Sequence, residues 1–294
     1  MVVEPLVVAL LLAAALMHAT WNALLKADRS DRLATFGVIM TTGTLMGLLA
    51  VPFLPMIEFA AWKFLASSVI IHVAYYTFLL KAYSYGDLSH TYPIARGLGP
   101  LLVAMVSGQL IGEHLRVQDI AGVVLLSAGL VALALPLKGV VAAPGGRHGL
   151  ATLFAVLTGV TIAAYIIADG MGVRAAGPDF QHRLAYIAWL CVLEGPWLLV
   201  LAIILRPQTV WSHLRRTWWR GVIGGVVANT GYGIAIYALA LGPMAHVAAL
   251  RETSVLFGAL MGTLLLGEPF GLRRVIAAAV IVCGLVLMNG PRLF

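Results

Sequence analysis

Charged residues are scarce in this chain. Only 11% of its 294 residues are Asp, Glu, Lys or Arg, whereas 61% are hydrophobic. Soluble domains usually carry about 25% charged residues, so this composition excludes a soluble globular protein. The hydrophobic residues fall into stretches of about 20, which is the length that an α-helix needs to cross a bilayer. The sequence therefore predicts an all-α integral membrane protein.

Cysteines and catalytic motifs are also scarce. The chain has two cysteines, Cys191 and Cys283, and both lie inside apolar stretches, so no disulfide framework is expected. It contains no His-Glu-x-x-His, no Gly-x-Ser-x-Gly and no phosphate-binding Gly-x4-Gly-Lys-Ser/Thr motif. We therefore predict that the protein is not an enzyme, is not an ATP-driven pump, and uses no metal or other cofactor.

The basic residues are placed as membrane-orientation signals. They give a formal charge of +7 but occur singly or in pairs between apolar stretches, which argues against nucleic-acid binding. Ten apolar stretches predict ten transmembrane helices, at about 5–25, 33–54, 62–82, 88–111, 117–137, 149–171, 183–205, 219–241, 244–266 and 271–290. Lys and Arg gather in the connections that follow the odd-numbered spans. The positive-inside rule then predicts that both termini face outward, which is the periplasm for the bacterial inner-membrane location that we expect.

The second half of the chain repeats the first. At an offset of 156 residues Tyr232 aligns with Tyr76, and after a one-residue gap Arg251 aligns with Arg96. We therefore predict two five-helix repeats, 1–140 and 147–294, joined by a Pro- and Gly-containing linker. Because each repeat has an odd number of helices, the second enters the membrane inverted. Inverted repeats are common in secondary transporters, where the substrate site lies between the halves near the midplane.

A Gly-Glu pair marks the last helix–turn–helix of each repeat. The first copy reads Pro93-Ile-Ala-Arg96-x3-Pro100-x11-Gly112-Glu113, and the second reads Arg251-x15-Gly267-Glu268, without equivalents of the two prolines. Glycine permits a tight reversal, and a glutamate there can accept hydrogen bonds from the free amides that open the next helix. We predict that Glu113 and Glu268 are structural helix caps.

This pattern of two five-helix halves, each ending in a Gly-Glu hairpin, resembles the EamA type of the drug/metabolite transporter superfamily over essentially the whole chain. Length and basic character look most like the bacterial amino-acid exporters of the YddG type. The resemblance implies a ten-helix fold with a central cavity and alternating access. Substrates of the superfamily include amino acids, drugs, sugars and nucleotide derivatives, so the resemblance alone leaves the substrate open.

The arginines that match across the repeat are the first candidate substrate ligands. Arg96 and Arg251 each lie about two turns inside a span, where a guanidinium can bind a substrate carboxylate with two hydrogen bonds. The alternative is a structural pair with an acid, and Glu252 or Glu194 are the candidates for neutralising Arg251.

Polar and aromatic residues supply the other candidate ligands. His18, Trp21 and Asn22 share one face of the first helix, where they either line a path for an amphipathic solute or, for Trp21, anchor the helix at the interface. His72 and Tyr76 share a face of the third helix, and Tyr232 is the repeat mate of Tyr76. Core packing is the alternative for this stripe.

Acidic residues inside the spans are candidates for ion coupling or for structural roles. They are Asp169, Glu194 and Glu252, and the Gly-Pro pair after Glu194 predicts a helix kink there. His90 and His246 match across the repeat near helix starts, which favours helix-interface or capping roles over proton coupling.

Together these features predict a secondary transporter that exports small metabolites by alternating access. The paired feature inside the membrane is basic, which favours substrates with a carboxylate or another anionic group. Together with the resemblance to amino-acid exporters, this makes amino acids, aromatic or of broad range, the expected substrates. The alternatives are a multidrug or cationic-drug exporter and a carrier of nucleotide sugars or sugar phosphates. The expected partners are a small-molecule substrate and the lipid bilayer, without nucleic acid, and the expected functional unit is the monomer.

Overall fold

The fold is known from a computed structural model that describes residues 4–27, 32–86, 88–134, 148–266 and 271–289. Every regular element in these residues is helical. The elements are α1 (Pro5–Ala27), α2 (Arg32–Ala50), a 3-10 turn (Val51–Phe53), α3 (Phe59–Tyr85), α4 (Leu88–Ile111), α5 (Val117–Ala134), α6 (His148–Ala175), α7 (Phe180–Glu194), α8 (Trp197–Leu205), α9 (Pro207–Leu241), α10 (Met244–Arg251), α11 (Thr253–Leu266) and α12 (Leu272–Asn289).

Seven helical segments of the described chain are long and apolar enough to cross a membrane. Five of them lie in α1, α3, α4, α6 and α9, a sixth runs from Leu33 to Phe53 through α2 and the 3-10 turn, and the seventh runs from Phe180 to Leu205 through both α7 and α8. Two shorter apolar helices, Val117–Leu133 and Val275–Met288, lie in α5 and α12. The expectation of an all-α membrane protein therefore holds, whereas the count of ten crossings is a proposal considered below.

Two of the predicted spans are interrupted. The seventh breaks between α7 and α8, where Gly195 has φ 59° and Pro196 follows, as the Gly-Pro pair indicated. The ninth was expected to be continuous, but α10 ends at Arg251 and α11 begins at Thr253. At Glu252 the backbone N–H bonds to Ala249 O at 3.1 Å, a tighter i−3 pattern that interrupts the α-helical ladder.

The sequence analysis leaves residues 206–218 between the seventh and eighth spans as a connection, which is wrong because α9 begins at Pro207 and continues to Leu241. Hydropathy locates the apolar part of this helix and fails to detect the charged turns before it. By contrast α4 is continuous despite Pro93 and Pro100. The proposed repeat boundary lies within 135–147 and thus outside the described residues.

Helix packing in the two halves follows one pattern. α3 packs along α6 while α9 packs along α1, α4 packs on α6 while α11 packs on α1, and α5 packs on α12. These contacts exchange when α1–α5 are swapped with α6–α12, which is what a two-fold relation between the halves produces. Glycines bring α5 and α12 together, since a Cβ on Gly284 would lie only 2.6 Å from Gly122 O.

Contacts between helix ends define one end of the bundle, which we call the Glu113 end. Glu113, after α4, contacts Arg174 at the end of α6 and Met244 at the start of α10. Arg116, before α5, bonds to Met288 O near the end of α12 at 3.5 Å, and Val7 of α1 lies beside Gly242. The start of α1 and the end of α12 therefore lie at the same end of the bundle.

Asp179 begins α7 at this end and lies outside the apolar segments. Its Oδ1 accepts the backbone N–H of His182 at 2.9 Å and lies 2.7 Å from the imidazole Nδ1 of the same residue. The backbone hydrogen bond and the contact with this ring lower the pKa of Asp179. The carboxylate is thus an N-cap that satisfies an otherwise free helix amide.

Candidate functional site

Ionisable side chains from both halves of the chain are buried in the bundle interior. Asp169 is 1% exposed, Glu252 is 2% exposed and His72 is 4% exposed. A charge within a bilayer is costly unless it finds a partner. These side chains form two groups, the carboxylate–imidazole cluster and the Arg96–Glu252 pair.

The carboxylate–imidazole cluster consists of His72 on α3, Asp169 on α6, Tyr186 and Glu194 on α7, and Tyr232 on α9. The hydroxyls of Tyr232 and Tyr186 donate to the two Asp169 oxygens at 2.6 and 3.3 Å. The imidazole Nε2 of His72 lies 3.1 Å from Tyr232 Oη and 3.3 Å from Glu194 Oε1. The cluster therefore joins one helix of the first half to three helices of the second.

No arginine or lysine in the described part of the chain contacts Asp169 or Glu194. Glu194 is placed here because α7 ends at this residue, where the Gly-Pro break redirects the chain. The sequence identified Asp169, Glu194, His72 and Tyr232 separately but gave no sign that they meet.

The Arg96–Glu252 pair crosses between α4 and the interruption that separates α10 from α11. Arg96 Nε donates to Glu252 Oε2 at 2.9 Å, and an Nη donates to the hydroxyl of Ser254 at 3.2 Å. Both partners are buried, with Arg96 only 6% exposed. The expectation that Glu252 or Glu194 would neutralise Arg251 therefore differs from the structure, because the interruption at Glu252 directs its carboxylate to Arg96.

Arg251 is half-buried and has a different environment. Its guanidinium carbon lies 5.5 Å from the centre of the Tyr232 ring, a cation–π distance. Among the described residues Arg251 forms no ion pair with a carboxylate. Of the two arginines related by the repeat, Arg96 thus has its charge compensated by an acid, and Arg251 is held against an aromatic ring.

A row of aromatic side chains leads from α1 to the carboxylate–imidazole cluster. His18 contacts Trp21 at 5.3 Å between ring centres, Trp21 stacks on Phe36 at 6.0 Å, and Phe36 meets Tyr76 edge-on at 5.4 Å. Tyr76 in turn lies 6.1 Å from His72. Trp21 therefore packs on Phe36 of α2 as a member of this row.

Two other candidates of this region have local or apolar partners, and two aromatic residues of the region were not selected from the sequence. Asn22 Nδ2 bonds to the backbone oxygen of His18 at 2.7 Å, within its own helix, and Tyr76 Oη contacts Met40 Sδ at 3.3 Å. Sequence reasoning missed Phe36 and also Tyr165, which stacks on His72 at 4.3 Å. The signal for Tyr165 was its position one helical turn before Asp169, on the same face of α6.

Glu113 caps a helix of the opposite half of the chain. Its carboxylate accepts the backbone N–H of Met244 at 3.0 Å and binds Arg174 at 3.1 Å. The expectation that it would cap the next helix is corrected: the helix is α10 rather than α5, because Gly112, with φ 70°, turns the chain before it. Glu268 lies outside the described residues.

The two matched histidines make contacts between helices. His90 Nε2 on α4 lies 3.1 Å from Thr152 Oγ1 on α6, and His246 Nε2 on α10 lies 3.5 Å from Asp119 Oδ1 on α5. Neither belongs to the carboxylate–imidazole cluster. No group of three or more His, Cys, Asp or Glu that could hold a metal ion is found within the described ranges.

Apolar helices around buried ionisable side chains define a multi-pass membrane protein with a polar interior. The model of the EamA-like transporter family matches residues 5–135 and again residues 149–290. The chain belongs to the EamA-like transporter family, within the drug/metabolite transporter superfamily.

Individual relatives agree with this assignment. An uncharacterized transporter of Sinorhizobium sp, from the cobO 3' region, is 28% identical over 135 residues, which are 46% of this chain and 93% of that protein. A WAT1-related chloroplast protein of Arabidopsis thaliana is 24% identical over 197 residues, covering 65% of this chain and 46% of that protein. A crystal structure superposes with a TM-score of 0.74 at 21% identity, over 97% of this chain and 96% of the other, and supports the fold.

Proposed function

We propose that this transporter crosses the bacterial inner membrane ten times and exports small metabolites that bear a carboxylate, amino acids first among them. The seven long apolar segments, α5 and α12 account for nine crossings, and the interrupted pair α10 and α11 supplies the tenth. With the start of α1 and the end of α12 at the Glu113 end, both termini face the periplasm in this proposal, as the distribution of Lys and Arg indicates.

Alternating access is the proposed mechanism, with the monomer as the working unit. The exchanged packing of the two halves supports an inverted relation between them. Carriers built in this way move one half against the other around a central site. The Arg96–Glu252 pair, the carboxylate–imidazole cluster and the Glu113 cap each join the two halves, so each lies where such a movement takes place.

Arg251 is the observation that carries the substrate proposal. It is half-buried, lies over the ring of Tyr232, and lacks a carboxylate partner within the described chain. A guanidinium in that state can hold a substrate carboxylate with two charge-assisted hydrogen bonds. Arg96 fits this role less well because Glu252 already compensates its charge.

The opposite side of Tyr232 supports an amino acid over a simple organic acid. Tyr232 has Arg251 over its ring and the acidic carboxylate–imidazole cluster at its hydroxyl. One aromatic ring therefore separates a positive group from a negative group. An amino acid carries a carboxylate and an ammonium group on one carbon, and the aromatic row offers an apolar surface for its side chain.

Cationic drugs are the second candidate because neither Asp169 nor Glu194 has an arginine or lysine beside it within the described chain. Both are buried, at 1% and 7% exposure, whereas Arg251 is the more accessible charge. A sugar phosphate or nucleotide sugar would use Arg251 alone. These classes belong in the same substrate panel.

Counterflow in proteoliposomes tests the proposal. Proteoliposomes that contain the purified protein and are loaded with unlabelled amino acids are expected to take up the same amino acids, added with a label outside, in a saturable way. Replacing Arg251 with Gln removes a charge-assisted contact of about 1.5–3 kcal/mol, which corresponds to a rise in KM of about 10- to 150-fold. The exposed Arg215→Gln variant is the matched control and should transport normally.

Two results would contradict this assignment. If the wild type shows counterflow with a cationic drug or a sugar phosphate and shows no counterflow with amino acids, the proposed substrate class is wrong. An Arg251→Gln variant with unchanged KM for amino acids would show that another group binds the carboxylate.

A further inference from the structure

The first turns of α9 extend beyond the part of the helix that crosses the membrane. α9 has 35 residues, from Pro207 to Leu241, which span about 52 Å at about 1.5 Å per residue. The hydrocarbon core of a bilayer is only about 30 Å thick, and the apolar span within α9 begins at Trp218. Because α9 ends at the Glu113 end, residues 207–217, which we call the α9 extension, lie at the opposite end of the bundle.

The α9 extension is attached to the bundle along one side. Val210 is fully buried and packs with Ala34 of α2 and Ala202 of α8. One helical region further along, a Cβ on Gly221 would lie 2.6 Å from Val38 Cγ1 of α2. These contacts fix the direction of the helix, so the side chains on its exposed side have defined positions relative to the membrane.

Three exposed tryptophans mark the level of the lipid headgroups on this helix. Trp211, Trp218 and Trp219 are 55%, 54% and 48% exposed. Contact of three indole rings with water alone would be unfavourable, whereas tryptophan is enriched where a membrane meets water, with its ring against apolar chains and its N–H among polar groups. The tryptophans therefore place the α9 extension in the headgroup layer of one leaflet.

Two exposed arginines, Arg216 and Arg220, lie one turn apart on this helix, and we call them the arginine pair. Residues four apart are neighbours on a helix surface, where like charges repel each other. No acid occurs in the sequence between Glu194 and Glu252, and neither arginine forms an ion pair within the described chain. An anion that binds both guanidinium groups would replace this repulsion with attraction.

Trp219 connects the arginine pair to an apolar surface. The guanidinium carbon of Arg220 lies 5.3 Å from the centre of the Trp219 ring, a cation–π distance that holds the guanidinium in place before a ligand arrives. Ile223 and Val226 follow Trp219 at spacings of four and seven, on the same face of the helix, and are 50% and 44% exposed. A phosphate bound at the arginine pair thus leaves room for an attached acyl chain along Ile223 and Val226.

We propose that Arg216, Trp219 and Arg220 bind the headgroup phosphate of an anionic phospholipid. Guanidinium groups bind phosphate oxygens with two hydrogen bonds, and the indole N–H of Trp219 is a further donor. A phospholipid fits better than a free phosphate or a nucleic acid because it alone uses both the cations and the exposed apolar surface. The net positive charge selects a lipid with a net negative headgroup. This site is separate from the proposed transport function, and in the proposed topology it faces the cytoplasmic leaflet.

Arg215 provides a matched control in the same turn of the helix. It is exposed and lies at nearly the same depth as Arg216, about 100° around the helix axis. The residues three and four positions from Arg215 include no arginine, so it belongs to no pair. Arg215→Gln therefore removes the same charge as Arg216→Gln and leaves the arginine pair intact.

Native mass spectrometry of the detergent-solubilised protein measures the affinity for the first bound lipid. The wild type should bind phosphatidylglycerol, which is anionic, more tightly than zwitterionic phosphatidylcholine. Arg216→Gln and Arg220→Gln should each weaken phosphatidylglycerol binding about fivefold and leave phosphatidylcholine binding unchanged, whereas Arg215→Gln should bind both lipids as the wild type does. Circular dichroism should show the same helix content in all variants.

A second variant tests the geometry of the site. Arg216→Lys combined with Arg220→Lys keeps both charges and removes the planar donors, so it should bind phosphatidylglycerol more weakly than the wild type and more tightly than Arg216→Gln combined with Arg220→Gln. If the lysine variant binds as the wild type does, charge alone is sufficient and the guanidinium contacts are refuted.

Other outcomes would also overturn the proposal. Equal weakening by Arg215→Gln and Arg216→Gln would show that net charge attracts the lipid without a site. Equal affinity of the wild type for the two lipids would show that no anionic headgroup is selected. Displacement of phosphatidylglycerol by inorganic phosphate at constant ionic strength would assign the arginine pair to a free anion, and displacement by an RNA oligonucleotide would assign it to nucleic acid.

Discussion

The Arg96–Glu252 pair permits a direct test of whether Arg96 is structural or binds substrate. Glu252→Gln keeps the size of the side chain and removes its charge. The guanidinium of Arg96 then retains the hydroxyl of Ser254 and an amide oxygen, without a counter-charge. Because Arg96 is 6% exposed and Glu252 is 2% exposed, water cannot replace the lost carboxylate.

The expected cost follows from this burial. Removing one partner of a buried ion pair costs about 3–5 kcal/mol, because the remaining charge is left uncompensated. Replacing both partners with apolar residues of similar volume is often neutral or stabilising. The double variant Arg96→Met, Glu252→Leu should therefore be more stable than either single variant, with Glu252→Gln losing about 3–5 kcal/mol relative to the wild type.

Unfolding in detergent, followed by tryptophan fluorescence, measures these differences, and counterflow is measured on the same preparations. Arg251→Gln is the matched control for loss of a guanidinium. Since Arg251 is half-buried and has no carboxylate partner in the described chain, its loss should change the free energy of unfolding by less than about 1 kcal/mol while impairing transport.

The opposite pattern would refute the reasoning. If Glu252→Gln unfolds within about 0.5 kcal/mol of the wild type and Arg96→Gln folds normally but loses transport, then Glu252 is not the necessary counter-ion of Arg96. Arg96 would then be the substrate ligand, and the role assigned to Arg251 would be wrong.

Three further predictions concern the Glu113 end and helix packing. Glu113→Gln should lower the free energy of unfolding by about 1–3 kcal/mol through loss of a buried charged acceptor. The exposed Glu58, which makes no side-chain cap contact, gives the control Glu58→Gln, and equal stability of the two variants would contradict the cap. Gly284→Ala should cost about 1–3 kcal/mol by overpacking the contact with α5. Gly149→Ala has no atom within 4 Å and should cost nothing in the same unfolding assay; equal losses would contradict the packing. Asp179→Asn should speed amide exchange at the start of α7 at neutral pH. Because hydrogen bonding lowers the folded-state pKa of Asp179, its contribution is lost as pH falls through that value, so the difference between variant and wild type should disappear in acid. A difference that persists there would contradict the cap.

The membrane class and most helices were predictable because bilayer thickness dictates the length of each apolar stretch. The boundaries that failed have a common cause. Residues 207–218 are polar and helical, so hydropathy alone excludes them from α9. The interruption at Glu252 lies inside a span that is apolar on average, so hydropathy does not detect it, and the carboxylate of Glu252 pairs with Arg96 in a distant part of the chain.

The site was predictable as a set of residues and not as a set of contacts. The free-energy cost of placing an ionisable side chain inside the membrane marks Asp169, Glu194 and His72 individually as candidates. Whether they meet depends on how α3, α6 and α7 are rotated about their axes, which the sequence of each helix does not specify. Glu113 shows the same limit: its role as an acceptor for a helix start was predictable, but the choice of α10 over α5 depends on how the two halves dock.

The repeat explains why Arg251 has no carboxylate partner among the described residues. Near a two-fold axis each position lies close to its own counterpart, so the repeat brings the regions of Arg96 and Arg251 together. Two guanidinium groups there would repel each other. The second copy differs from the first in having an acid, Glu252, next to its arginine, where the first copy has Gly97. Glu252 compensates Arg96, and in the proposed function Arg251 is left to bind the carboxylate of the substrate. The asymmetry between otherwise matching repeats thus accounts for the carboxylate-binding site that we propose at Arg251.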